Sequence, residues 1–154
     1  MKIWYTGSGN EIAYQEMLVE IDEYLKSGGK VFIGTDSQLK SDYCVFATAI
    51  CLHGNERKGG KYYFHKKRTN SKKHHVLQTR IMQEVKRSID TAMNLLEKYP
   101  DADIEVHVDI GTTPRSATRN MVDSVKGWLS GVGFACKVKP DSWASSSVAD
   151  GHTK

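Results

Sequence analysis

The sequence predicts an α/β fold built on a mixed five-stranded sheet, three antiparallel strands followed by two parallel ones, flanked by helices. Apolar runs at about 30–36, 43–53 and 61–68 follow one another with only polar or glycine-containing breaks between them, the mark of an antiparallel meander. Two further runs, 103–109 and 134–138, each come after a stretch with helical spacing. A helical crossover delivers a parallel neighbour, so these two strands join the sheet in parallel.

Taken in order, Asn10 is expected to cap a first helix over about 10–27, with Tyr14, Met17, Leu18, Ile21 and Leu25 on one face and Gly28-Gly29 as its stop. Its other face is acidic, with Glu11, Glu16, Glu20, Asp22 and Glu23. After the meander, a long helix is expected from about His74 to Tyr99. Leu77, Ile81, Val85, Ile89, Ala92 and Leu96 form its apolar stripe, and Pro100 follows it. Glu84 falls at the margin of that stripe, and His74-His75 read as surface residues. Thr113 and Pro114 are read as the cap and first residue of a third helix that ends at Gly131-Val132-Gly133. A short terminal helix is expected from about Trp143.

At 154 residues, 39% of them hydrophobic and 26% charged, the chain has the size and composition of one ordinary globular domain. No apolar stretch approaches the roughly 20 residues of a membrane span, and the first residues lack a secretory signal pattern, so a cytoplasmic location is expected. Cys44, Cys51 and Cys136 are odd in number, lie among apolar neighbours and form no C-x-x-C pair. Reduced core cysteines are the expectation.

Charge is unevenly distributed. Between Arg57 and Arg87 there are eleven Lys and Arg side chains against one acid, Glu84, a local balance of +10 in a chain whose total is +4. The rest of the chain therefore carries −6. Such a split suits a phosphate-binding face, and Lys66, Lys67, Arg68, Lys72 and Lys73 are the side chains expected to hold nucleic-acid phosphates. The competing reading is a solvated hairpin and helix surface. Tyr62 and Phe64 should share one face of their strand and Tyr63 the other, so part of this set belongs to the core and the remainder can stack on bases.

Two carboxylates, Asp36 and Asp109, each end an apolar run, and in open sheets ligands gather at the carboxyl ends of strands. Each has an ordinary explanation: Asp36 and Asp109 can cap turns, and Glu84 can pair with Arg80, Lys86 or Arg87. Together they form a different pattern. Converging acids repel one another and gain protons unless a cation holds them, and hard divalent ions prefer such oxygen ligands.

This order of elements, with Asp36, Glu84 and Asp109 on the first strand, long helix and fourth strand, resembles the ribonuclease H-like superfamily. Gly34-Thr35-Asp36-Ser37, His107-Val108-Asp109-Ile110 and Lys139-Pro140-Asp141-Ser142-Trp143-Ala144, running on to Ala149-Asp150, bring it closer still to the YkuK-like family. The resemblance implies a single ribonuclease H-like domain over 1–154 with the helix at 10–27 as an N-terminal addition. It also implies that Asp36, Glu84, Asp109 and Asp150 are catalytic ligands of Mg²⁺ or Mn²⁺, two ions, in a nuclease acting on RNA, DNA or their hybrid. Asp141 is the alternative fourth acid. A nucleic-acid-binding module without catalysis is the alternative function.

Overall fold

The computed structural model describes residues 2–54 and 59–154; Arg57 and Lys58 of the basic run lie outside them. Its seven strands are β1 (Trp4–Thr6), β2 (Glu11–Ile12), β3 (Lys30–Leu39), β4 (Tyr43–His53), β5 (Lys61–Asn70), β6 (Ile104–His107) and β7 (Ala135–Lys137). They form one sheet in the order β2-β1-β5-β4-β3-β6-β7. Within it, β3, β4 and β5 are antiparallel, and β6 and β7 run parallel to β3.

The expected five strands are therefore extended to seven. The extra pair is a hairpin of three- and two-residue strands, too short to show periodicity, that pairs antiparallel with β5 at Tyr5–Phe64 and Thr6–Tyr63. Asn10 belongs to that hairpin. Its carbonyl accepts from the Thr6 N–H at 2.8 Å and its own N–H donates to the Thr6 hydroxyl at 3.2 Å. It does not cap α1 (Tyr14–Lys26), whose N-cap position is Ala13.

Three helices cover one face of the sheet: α1, α2 (Leu77–Lys98) and α3 (Val122–Gly131). Met17, Leu18, Ile21 and Tyr24 of α1 pack with Ile81, Val85, Ile89, Ala92 and Leu95 of α2 and with Val125 and Leu129 of α3. Below them lie Val31, Ile33, Ile50, Leu52, Tyr63 and Val106, alternate residues of the central strands. This is the main core, and Tyr63 is 1% exposed within it.

Two helix starts differ from expectation. α2 begins at Leu77, after a 3₁₀ turn at Ser71–Lys73, and His74 is buried edge-on against the Phe46 ring at 5.0 Å. α3 begins eight residues after Pro114. The Thr118 hydroxyl accepts from the Gly111 N–H at 2.9 Å and the Ser116 hydroxyl from the Thr118 N–H at 3.3 Å. Such side-chain bonds compete with helical ones and hold 111–118 as turns.

The opposite face carries one short helical stretch, a π-helical Ala144–Ala149 followed by a 3₁₀ turn at Asp150–His152. It lies directly on the sheet because residue 34 is glycine. A Cβ there would stand 2.4 Å from the Ser145 nitrogen and 2.5 Å from the Ala144 carbonyl carbon, both main-chain atoms. The small apolar cluster beneath it is Ala49, Cys51, Ala144 and Ala149, edged by Phe32, Tyr62, Trp143 and Val148. All three cysteines are free, Cys44 and Cys51 being buried and Cys136 half-buried. Among the described residues no helix is long and apolar enough to cross a membrane.

Candidate active site

β3 and β6 are adjacent and parallel, with Gly34 opposite His107. That register carries Asp36, two residues on, and Asp109, two residues past His107, to the same end of the sheet. Asp36 lies inside β3 instead of at its end, because the strand continues to Leu39 and the polar segment after it forms the hairpin to β4. Asp36 shares its sheet face with Gly34, hence with the π-helical stretch.

Asp150 reaches Asp36 from that stretch, and their carboxyl groups are hydrogen-bonded to each other. Glu84 comes from the opposite side, on the inward face of α2 between Ile81 and Ser88. It is buried more deeply than its position on the stripe suggested, at 4% exposed. Exposure rises across the set: Glu84 4%, Asp36 7%, and the Asp109 and Asp150 side chains 22% and 39%.

Burial and mutual repulsion set the protonation of this group. Asp36 is pushed up to about 8, first by burial, then by its bond to Asp150 and the charges of Asp109 and Asp150. Glu84 is raised well above the usual carboxylate range by burial and the Asp36 and Asp109 charges, against the opposing effect of its Ser37 bond. Asp150 is lowered, chiefly because it accepts that bond from Asp36, with Lys154 assisting. The proton of the Asp36–Asp150 pair therefore sits on the buried partner.

Each acid has a neighbour of a different kind. The Ser37 hydroxyl donates to Glu84 Oε2, while Glu84 Oε1 is buried with no hydrogen-bond partner. Lys139 Nζ stands 3.1 Å from Asp109 Oδ1, an ion pair without the alignment of a hydrogen bond. Lys154 Nζ stands 3.4 Å from Asp150 Oδ2. The ordinary pairing for Glu84 does not occur: Lys86 bonds Asp90, Arg80 bonds the His74 carbonyl, and Arg87 lies over the Phe46 ring. Asp141 is exposed and acts on His107 instead of on the other acids.

Among the described residues, no three His, Cys, Asp or Glu side chains stand close enough in their present orientations to hold one metal ion. The donor chemistry still suits a hard cation, since all four groups offer carboxylate oxygens. One buried oxygen on Glu84 lacks a partner. Holding a cation would require Asp109 and Asp150 to exchange their lysines for it.

The basic side chains divide between the two faces. Asp36, Ala47 and Lys66 lie in one row across β3, β4 and β5, and Gln38, Val45 and Arg68 in the next. Lys66 and Arg68 thus share the face of Asp36, and the Arg68 guanidinium lies 4.5 Å from the Tyr43 ring centre. Lys67 projects from the opposite face, and Lys72 and Lys73 are exposed on the 3₁₀ turn leading to α2.

Sequence reasoning did not single out His107, Ser37, Lys139 or Lys154. His107 ties the two layers of the site together: its Nε2 bonds Glu105 at 2.8 Å and its Nδ1 accepts the Ala144 N–H at 3.0 Å. These bonds place the ring proton on Nε2. The i, i+2 spacing of Glu105 and His107 on one strand was the available signal.

Comparison with known proteins agrees with this architecture. The profile described as "Ribonuclease H-like" matches residues 13–154. The chain is also similar to "Uncharacterized protein YkuK" of Bacillus subtilis (strain 168), 28% identical over an alignment of 171 positions that covers 99% of this chain and 97% of the relative. No solved structure matches it. A helix-flanked mixed sheet, with one acid on β3, another just past the end of the parallel β6, and a profile match over nearly the whole chain, places this protein in the ribonuclease H-like family.

Proposed function

We propose that this protein is a metal-dependent phosphodiester hydrolase of nucleic acids. The observation that carries this reading is the meeting of Asp36, Glu84, Asp109 and Asp150, from four separate elements, closely enough to perturb one another. Burying carboxyl groups against like charges is costly, and a fold under no functional demand would relieve it with one amide or apolar side chain.

In this reading the four acids hold Mg²⁺ or Mn²⁺, and Glu84 brings the oxygen that now lacks a partner. When bound, such ions supply the Lewis acidity that activates a water and stabilises the leaving oxygen of a phosphodiester. The chain's own side chains do the rest. Lys66 and Arg68 hold backbone phosphates on the face of Asp36 without reading sequence. Lys139 and Lys154 give up Asp109 and Asp150 to the ions.

Incubating labelled RNA, DNA and hybrid with the protein and either ion tests this. Cleavage that needs the metal and disappears in Asp109→Asn supports the hydrolase. The second reading, a nucleic-acid-binding module without catalysis, is favoured by the present orientations, in which no three of the acids suit one ion. Salt-sensitive binding of all three substrates with no cleavage under either ion would establish the module instead.

A further inference from the structure

A cavity of about 700 Å³ opens between the first residues of the chain and the outer edge of β5, away from the four acids. β1 pairs with β5 only at Tyr5 and Thr6, so Lys2 and Ile3 leave the strand near His65 and the cavity lies between them. Its charged walls are Lys2, Lys66, Lys67 and Arg87, and no acidic side chain lines it. Among the described residues none of these four cations belongs to an ion pair.

Two of the lining groups each carry a buried nitrogen without a hydrogen-bond partner. Arg87 is half-buried, its guanidinium carbon 4.5 Å from the Phe46 ring centre, and its Nε has no hydrogen-bond partner. His65 is 4% exposed, packs edge-on to Trp4 at 4.5 Å, and its Nε2 has no partner either. Burial, and to a lesser extent the charges of Lys2 and Arg87, lowers His65 to about 4. A partly buried guanidinium with no anion in contact is costly, and an anion in the cavity offsets that cost. One wall is aromatic: Tyr5 lies stacked with Phe64 at 5.5 Å.

We propose that this cavity is a second ligand site, which binds a nucleotide by its phosphate on Arg87, Lys67 and Lys2 and by its base against Tyr5. The volume falls within the roughly 300–1,000 Å³ usual for small-molecule sites. A nucleotide combines the two features the walls offer, a phosphate for unpaired cations and a flat aromatic group for a ring. It comes either free or as one unit of a strand, since Lys66 lies in the row that also holds Asp36. Arg87 follows Glu84 by three residues on α2, so the site is one helical turn from the acids without using them. The proposal therefore stands apart from the hydrolase reading.

The test is done in chelator, where cleavage plays no part. Binding of adenosine monophosphate, inorganic phosphate and a short single-stranded oligonucleotide is measured by calorimetry and melting temperature. Wild type and Asp36→Asn are expected to bind the mononucleotide equally. Arg87→Met should bind it about tenfold more weakly or worse, and so should the doubly exposed pair Lys2→Glu with Lys67→Glu, which keeps the fold. Tyr5→Ala should weaken the mononucleotide while sparing inorganic phosphate. Oligonucleotide displaced by the mononucleotide identifies a strand as the source; oligonucleotide bound independently identifies a free nucleotide. No mononucleotide binding, binding lost in Asp36→Asn, or binding untouched by the Lys2 and Lys67 changes would overturn the proposal.

Discussion

The two faces of the sheet are built by different rules. One is covered by three amphipathic helices over a continuous apolar core that runs from Trp4 to Val138. Among the described residues the other carries one π-helical stretch over a small cluster of Ala49, Cys51, Ala144 and Ala149. Beside that small cluster lie Asp36 and Asp150, and the basic Lys66 and Arg68. The helical face buries enough apolar surface to stabilise the fold, which lets the other face carry repelling carboxylates.

That contrast can be broken from either side. The largest effect is expected on the helical face. Ile33→Ala, at a fully buried position, should lower stability by about 2–5 kcal/mol in chemical denaturation and shift every probe together.

Acid should act next. Burial beside the Trp4 ring, with the charges of Lys2 and Arg87, holds His65 neutral, and its value falls from 6.5 to about 4. The unfolded chain then binds the extra proton between those values, so stability is complete above about pH 6.5 and declines as pH falls towards 4. The loss should reach about 3 kcal/mol, and His65→Gln should flatten that part of the stability–pH curve.

Gly34→Ala sharpens the comparison. The new methyl would collide with main chain of the π-helical stretch, at a cost of about 1–3 kcal/mol. Hydrogen exchange should quicken over 143–152 while protection in α1, α2 and α3 remains. Equal loss of protection on both faces would show that the two layers are not separable.

The smallest effect is expected at the acids. Asp36 is protonated at neutral pH, so Asp36→Asn should leave the metal-free stability unchanged or raise it slightly, by about 1 kcal/mol or less. Added Mn²⁺ should stabilise wild type and leave this variant nearly unaffected. A variant that fails to fold would make Asp36 a structural residue.

The parts of this fold legible in the sequence were those with long periodic patterns. The 22-residue α2 and the ten- and eleven-residue strands of the meander carry enough apolar residues to declare their spacing. The two N-terminal strands do not, and their role depends on β5 offering an edge far along the chain. The false helix start at Pro114 has a similar origin, since Ser116 and Thr118 bond backbone groups that a sequence pattern treats as free. At the site, the strand ends pointed to Asp36 and Asp109. Nothing local marked the hydroxyl of Ser37, whose partner is on α2, and at His107 the spacing to Glu105 gave no sign of the bond to the Ala144 N–H from the opposite layer.

Gly34 has one more consequence. With no side chain between β3 and the stretch that carries Asp150, the gap between Asp150 and Asp36 is governed by how main chain seats on main chain. Trp143, lodged against Phe32, His53 and His107, acts as the latch on that seat. Tuning the grip on any cation held between the two carboxylates thus falls to residues that never touch it.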